Sequence, residues 1–79
     1  MHLPYIPIPR PGFLDKCEFV GYIYGERRWR SIDGRRLFTW DGLHGEIEGY
    51  DKRGNHAGVF DAVTGAFIKP KRRGRTIRV

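Results

Sequence analysis

Cysteine is nearly absent from this chain of 79 residues. The single Cys17 excludes an internal disulfide, and with only three histidines it cannot complete a structural zinc site of the four-ligand Cys type, so stability must come from packing alone. No run approaches the roughly 20 apolar residues of a membrane span. The first eleven residues, with four prolines, hold no apolar signal-peptide core, so export would depend on another segment or machine. Acidic residues are scarce, 9 against 15 Lys and Arg, which leaves a net charge of +6 and a pI near 10.0. A polyanionic partner is expected, with nucleic acid first. Eleven of the cations are Arg, whose planar fork grips phosphate and stacks on bases, which favours RNA or DNA over a membrane patch. No segment longer than about ten residues sustains an apolar 3.6 repeat, so any helix should be short and N-terminal. The length itself excludes a two-domain enzyme.

Prolines at 4, 7, 9 and 11 remove backbone donors and push their predecessors toward extended conformations, so residues 1–12 read as a proline-rich arm. Its Tyr5, Ile6 and Ile8 can lie across a core or a partner. Residues 13–79 read as one domain. Phe19, Val20, Tyr22, Ile23 and Tyr24 suit a strand. Turn signals then recur at Asp33-Gly34, Asp41-Gly42, Arg53-Gly54-Asn55 and Thr64-Gly65, with a hairpin around the first of them, which is the spacing of a β-meander. Strands are expected at 28–30, 37–40, 44–50, 56–61, 66–69 and 75–79. The fold class is therefore mostly β (α+β): a small, highly twisted antiparallel sheet of five or six strands with a short N-terminal element. The C-terminal basic strand is expected beside the one carrying the glutamates. The expected core comprises Phe19, Leu37, Trp40, Ile47, Val59, Phe60, Ile68 and Ile77.

The most informative segment runs from Asp41 to Tyr50. If residues 44–50 form a strand, His44, Glu46, Glu48 and Tyr50 share one face, about 7 Å apart at each step, while Gly45, Ile47 and Gly49 face the other way. An imidazole and carboxylates around one phosphodiester are what RNA cleavage by internal transesterification needs, with a cation to offset transition-state charge. The same residues admit other readings: a solvated strand face on a noncatalytic basic β module that binds RNA, or a divalent-metal set of His44, Glu46, Glu48 and Asp41 in a metal-dependent nuclease. Two basic clusters, Arg27 to Arg36 and Lys69 to Arg78, supply phosphate contacts or merely guard strand edges. Trp29 and Tyr50 near them either stack on bases or belong to the core.

The stretch Leu37-Phe38-Thr39-Trp40-Asp41-Gly42-Leu43-His44-Gly45-Glu46-Ile47-Glu48-Gly49-Tyr50, followed by His56-Ala57-Gly58-Val59-Phe60-Asp61 and Thr64-Gly65, resembles the cytotoxic ribonuclease domain of the E-type colicins and cloacin. The resemblance implies an endoribonuclease toxin, a bacteriocin that cuts small-subunit (16S) ribosomal RNA at the decoding site by 2′-hydroxyl transesterification and so stops translation. It implies no metal and no other cofactor. By position it makes Glu48 the general base, His44 the general acid, Asp41 the residue orienting the imidazole, and Arg75, in Arg75-Thr76-Ile77-Arg78, the transition-state cation. Glu46, Tyr50, His56, Lys69, Arg72 and Arg73 become substrate contacts. It further implies an acidic cognate immunity protein, either a place at the tip of a larger delivery protein or a freestanding relative of such tips, and action in the cytoplasm of a target bacterium.

Overall fold

The structure is a computed structural model and describes residues 5–79; the first four residues of the proline-rich arm lie outside the described residues. After a 3-10 turn at Phe13–Lys16 come six strands: β1 (Glu18–Ile23), β2 (Glu26–Arg30), β3 (Arg36–Asp41), β4 (Glu46–Asp51), β5 (His56–Asp61) and β6 (Phe67–Pro70). They form one open sheet in the order β1-β2-β3-β4-β5-β6, every neighbour antiparallel, so the protein is the mostly β meander that the turn spacing predicts.

Aspartates set the corners. Asp41, Asp51 and Asp61 each end a strand and accept backbone N–H groups two to four residues on: Leu43 and His44, Arg53 and Asn55, Val63 and Thr64. A short carboxylate bonding its own backbone closes a turn without help from other elements. Those bonds favour the ionised form, and the backbone N–H groups of Asn55 and Thr64 hold the Asp51 and Asp61 carboxyls below their ordinary range. The first hairpin has no such device. It turns on Tyr24, at φ 52°, and Gly25, a corner without an Asp-Gly signal.

Pairing of Trp29 with Phe38, Phe38 with Gly49 and Trp40 with Ile47 stacks one face with large apolar groups. Gly49 is required there, since a Cβ would stand 2.4 Å from the Phe60 ring. The N-terminal segment covers this face: the Ile6 N–H bonds Gly42 O at 2.8 Å, Trp40 Nε1–H bonds Ile6 O at 2.9 Å, and the Phe13 N–H bonds Ala62 O at 3.0 Å. Leu14, Trp29, Phe38, Trp40, Ile47 and Ala62 form the buried cluster, with Ile8, Phe13, Cys17 and Phe60 packed against it.

Several expectations are corrected. Phe19 and Ile68, predicted in the core, are 51% and 42% exposed, because β1 and β6 are the sheet edges and have a neighbour on one side only. Of the two roles open to Trp29 and Tyr50, base stacking or core, the structure shows the second: both are buried. Residues 75–79 form no strand beside β4, whose two edges are already taken by β3 and β5; among the described residues their only ladder contact is a bridge between Thr76 and Asn55. β4 begins at Glu46 rather than at 44, since Gly45, at φ 69°, closes the preceding turn through its N–H to Asp41 O at 2.8 Å.

Candidate active site

The second sheet face carries the polar row. Cross-strand pairing sets Asp41 opposite Glu46, Thr39 opposite Glu48 and Leu37 opposite Tyr50. The β4–β5 pairing shifts between Gly49 and Tyr50, a bulge that brings His56 opposite Tyr50 and next to Glu48.

Glu48 is the centre of the row. Its side chain is 7% exposed, and its Oε1 lies 2.8 Å from His56 Nε2 and 3.3 Å from Arg75 Nη1. The proton on His56 can be located from its other side. His56 Nδ1 accepts the backbone N–H of Arg72 at 2.9 Å, so that nitrogen carries a lone pair and Nε2 carries the hydrogen donated to Glu48. The backbone N–H of His56 also bonds Arg75 O at 2.9 Å. One buried histidine thus positions the carboxylate and pins the C-terminal segment that delivers Arg75. Tyr50 packs edge-on against the His56 ring at 5.3 Å. Burial pushes its phenol above the ordinary value, with the Arg75 charge pulling the other way.

His44 is built differently. It sits in the β3–β4 turn, 67% exposed, with Nδ1 2.7 Å from Asp41 Oδ2. The other oxygen of Asp41 accepts the Leu43 and His44 backbone N–H groups at 3.1 and 3.2 Å, so the carboxylate is fixed in the turn before it touches the ring. Burial alone would raise the Asp41 carboxyl, but the hydrogen bonds from the His44 ring and backbone, together with the imidazole charge, bring it below the ordinary value. An ionised Asp41 that accepts the Nδ1 proton leaves His44 Nε2 as the nitrogen available to a substrate.

Asp41, His44, Glu46, Glu48, His56, Lys69, Arg72 and Arg75 line one open cleft of about 280 Å³. Glu46 and Lys69 face each other across it at 3.3 Å. The sequence also marked Tyr50 and Arg73: Tyr50 lies buried beneath the site, and Arg73 lines an adjoining hollow with Asp51, Asn55 and Lys71. Sequence reasoning missed the backbone amide of Arg72, which fixes the His56 tautomer, and Thr39, buried opposite Glu48. No side-chain pattern announces a backbone donor, and Thr39 lies inside an apolar strand. Each carboxylate of the cleft has a cationic or imidazole partner, and among the described residues no group of three or more His, Cys, Asp or Glu converges as a metal-holding set.

The arrangement offers a buried carboxylate hydrogen-bonded by a neutral imidazole, an exposed imidazole oriented by a second carboxylate, and the Arg75 guanidinium beside the buried carboxylate. Comparison with known proteins finds bacterial toxins among the relatives. Colicin E3 of Escherichia coli is 46% identical over 50 residues, which cover 58% of this chain and 9% of the colicin. Colicin E6 and cloacin, both from Escherichia coli, are each 45% identical over 49 residues, which cover 57% of this chain. The match thus spans 9% of the length of each of these curated relatives. The family profile described as Cytotoxic matches residues 21–78, a span that contains the whole sheet except the start of β1 together with every residue of the cleft, and the chain belongs to that family.

Proposed function

We propose that this chain is the ribonuclease domain of a bacterial toxin and cleaves small-subunit ribosomal RNA at the decoding site, which stops translation. The observation that carries the reading is the buried Glu48 carboxylate, held by His56 and Arg75 in the cleft that also contains the Asp41-oriented His44. In the proposed reaction Glu48 takes the proton of a ribose 2′-hydroxyl. The oxygen attacks the adjacent phosphorus, and the bond to the 5′ oxygen breaks as His44 Nε2 donates its proton to the leaving group. The products are a 2′,3′-cyclic phosphate and a 5′-hydroxyl. Arg75 offsets the extra charge on the phosphorane-like transition state, and Asp41 holds the imidazole through Nδ1. Lys69, Arg72 and Arg73 hold flanking phosphates, and Glu46 orients Lys69. His56 and Tyr50 act from beneath, as positioning residues for Glu48 and Arg75. DNA has no 2′-hydroxyl nucleophile and is not a substrate.

The wider setting follows from the same reading. The domain travels as part of a larger delivery protein and acts in the cytoplasm of a target bacterium. An acidic immunity protein silences it in the producing cell, its charge complementing the +6 of this chain and speeding association.

The test is incubation of the purified chain with intact bacterial ribosomes in magnesium buffer, and with a short decoding-site RNA in EDTA, followed by mapping of RNA ends, with His44→Ala as control. One discrete cut near the 3′ end of the small-subunit RNA, ending in a cyclic phosphate and absent from the control, is the expected result. RNA binding without a cut would leave a noncatalytic RNA-binding module, and a cut that EDTA abolishes would leave a metal-dependent nuclease.

Arg75 and Arg73 should separate chemistry from binding. Arg75→Ala is expected to lower turnover about a hundredfold, in line with loss of one transition-state donor, with a smaller change in RNA affinity. Arg73→Ala is expected to act on affinity, making the slope of log K against log salt shallower by about 0.7. Parallel losses of turnover and affinity in both variants would remove the distinction.

A further inference from the structure

The polar sheet face does not end at the cleft. Beyond Leu37 it continues onto β2, where Arg30 pairs with Leu37 and Leu37 with Tyr50, so Arg30 stands two strand spacings, about 10 Å, from the active-site row. There the surface opens into a hollow of about 600 Å³ lined by Tyr24, Arg28, Arg30, Leu37, Lys52 and Val79. Arg28 is the unusual member. It is only 6% exposed, and its buried Nε has no hydrogen-bond partner among the described residues, whereas Arg30 beside it is held by Glu18 at 2.9 Å. A buried guanidinium without an anion is unfavourable, and a strand interior offers many better residues. Tyr24 stays 70% exposed with Arg78 stacked on its ring at 5.1 Å, so an aromatic surface and cations meet at the rim.

We propose that this hollow is a second nucleotide subsite, in which Arg28 receives a phosphate of the RNA strand one or two nucleotides from the bond being cut and Tyr24 takes the adjoining base. The proposal rests on the ribonuclease reading for its substrate. RNA is favoured over an acidic protein because the hollow shares a sheet face with the cleft at a separation that one continuous strand spans, and because base stacking uses Tyr24 as well as the charge.

The test measures binding of fluorescent, fully 2′-O-methylated RNA, which has no nucleophile and stays intact, as an eight-nucleotide strand and as a dinucleotide. Arg28→Met is expected to weaken the longer strand about tenfold, the size of one charged hydrogen-bonded contact, and to make its salt slope shallower by about 0.7. The dinucleotide should bind the variant and the parent alike. The melting temperature of Arg28→Met should equal or exceed the parent's, since it replaces an unpaired buried charge with an apolar chain. Lys52→Gln, at the exposed rim, should weaken the longer strand in the same direction and decides the matter if Arg28→Met does not fold. Parent-like affinity for the longer strand would overturn the subsite, as would tighter Arg28-dependent binding of polyglutamate than of RNA. A parent chain that cuts no RNA yet binds it through Arg28 would sink the ribonuclease reading and keep the subsite; normal cutting with Arg28-independent binding would do the reverse.

Discussion

Replacing Glu48 with glutamine is expected to slow RNA cleavage about a thousandfold, within the range that general acid–base catalysis contributes, while the domain stays folded. The contacts explain why the loss is chemical. A glutamine oxygen still accepts the His56 Nε2–H, so the buried 2.8 Å bond survives and no polar atom is orphaned there. What disappears is the only form of residue 48 that can take a proton from a 2′-hydroxyl. The same oxygen stands 3.3 Å from Arg75 Nη1, so the glutamine keeps that contact but loses the negative charge that anchors the guanidinium. The measurement is the initial rate on a short RNA under single-turnover conditions, with melting temperature and RNA affinity in parallel. A variant that keeps more than about a tenth of the parent rate would remove Glu48 as the base, because no other carboxylate stands in its position.

The candidate catalytic set was legible in the sequence to the extent that local chain writes it. Asp41 and His44 lie three residues apart in one turn, and a turn carboxylate bonding the next backbone amides is a short-range event that needs no knowledge of the fold. Glu46 and Glu48 share a face by strand alternation alone. The meander likewise followed from glycines and aspartates at regular intervals. Its first corner, at Tyr24-Gly25, escaped because a tyrosine holds the left-handed position there. What depended on distant chain was not legible. His56 reaches Glu48 only because the ladder slips by a bulge after Gly49, and its tautomer is fixed by an amide sixteen residues further on. The C-terminal segment reads as a strand by composition, yet β4 has no open edge to receive it, so it meets the sheet at the Asn55 bridge, at His56, whose N–H bonds Arg75 O at 2.9 Å, and at the β4–β5 turn, where the Ile77 N–H bonds Gly54 O at 2.8 Å. Arg28 reads as one more surface cation in a basic strand. Its burial is encoded by no local pattern.

His56→Ala is expected to be nearly as damaging as the loss of Glu48, though by a different route. Truncation removes the Nε2–H that compensates a carboxylate only 7% exposed, and it frees the Arg72 amide on the opposite side. Breaking one partner of a buried pair of this kind costs about 3 kcal/mol of stability, a large share of what a domain this small possesses. The carboxylate then turns toward water or toward Arg75, and a displacement on the order of 1 Å lowers turnover about a hundredfold. Because His56 does not meet the substrate in this account, the change should fall on kcat and leave KM close to the parent value. His56→Gln should restore much of the loss, since its amide can donate to Glu48, whereas a residue needed only for bulk would be rescued better by leucine. Denaturant unfolding of both variants, with kcat and KM measured where each is fully folded, distinguishes the two roles. A rise in KM with kcat unchanged would return His56 to the substrate-contacting surface, and equal rescue by leucine and glutamine would make it a packing residue rather than the group that orients the base.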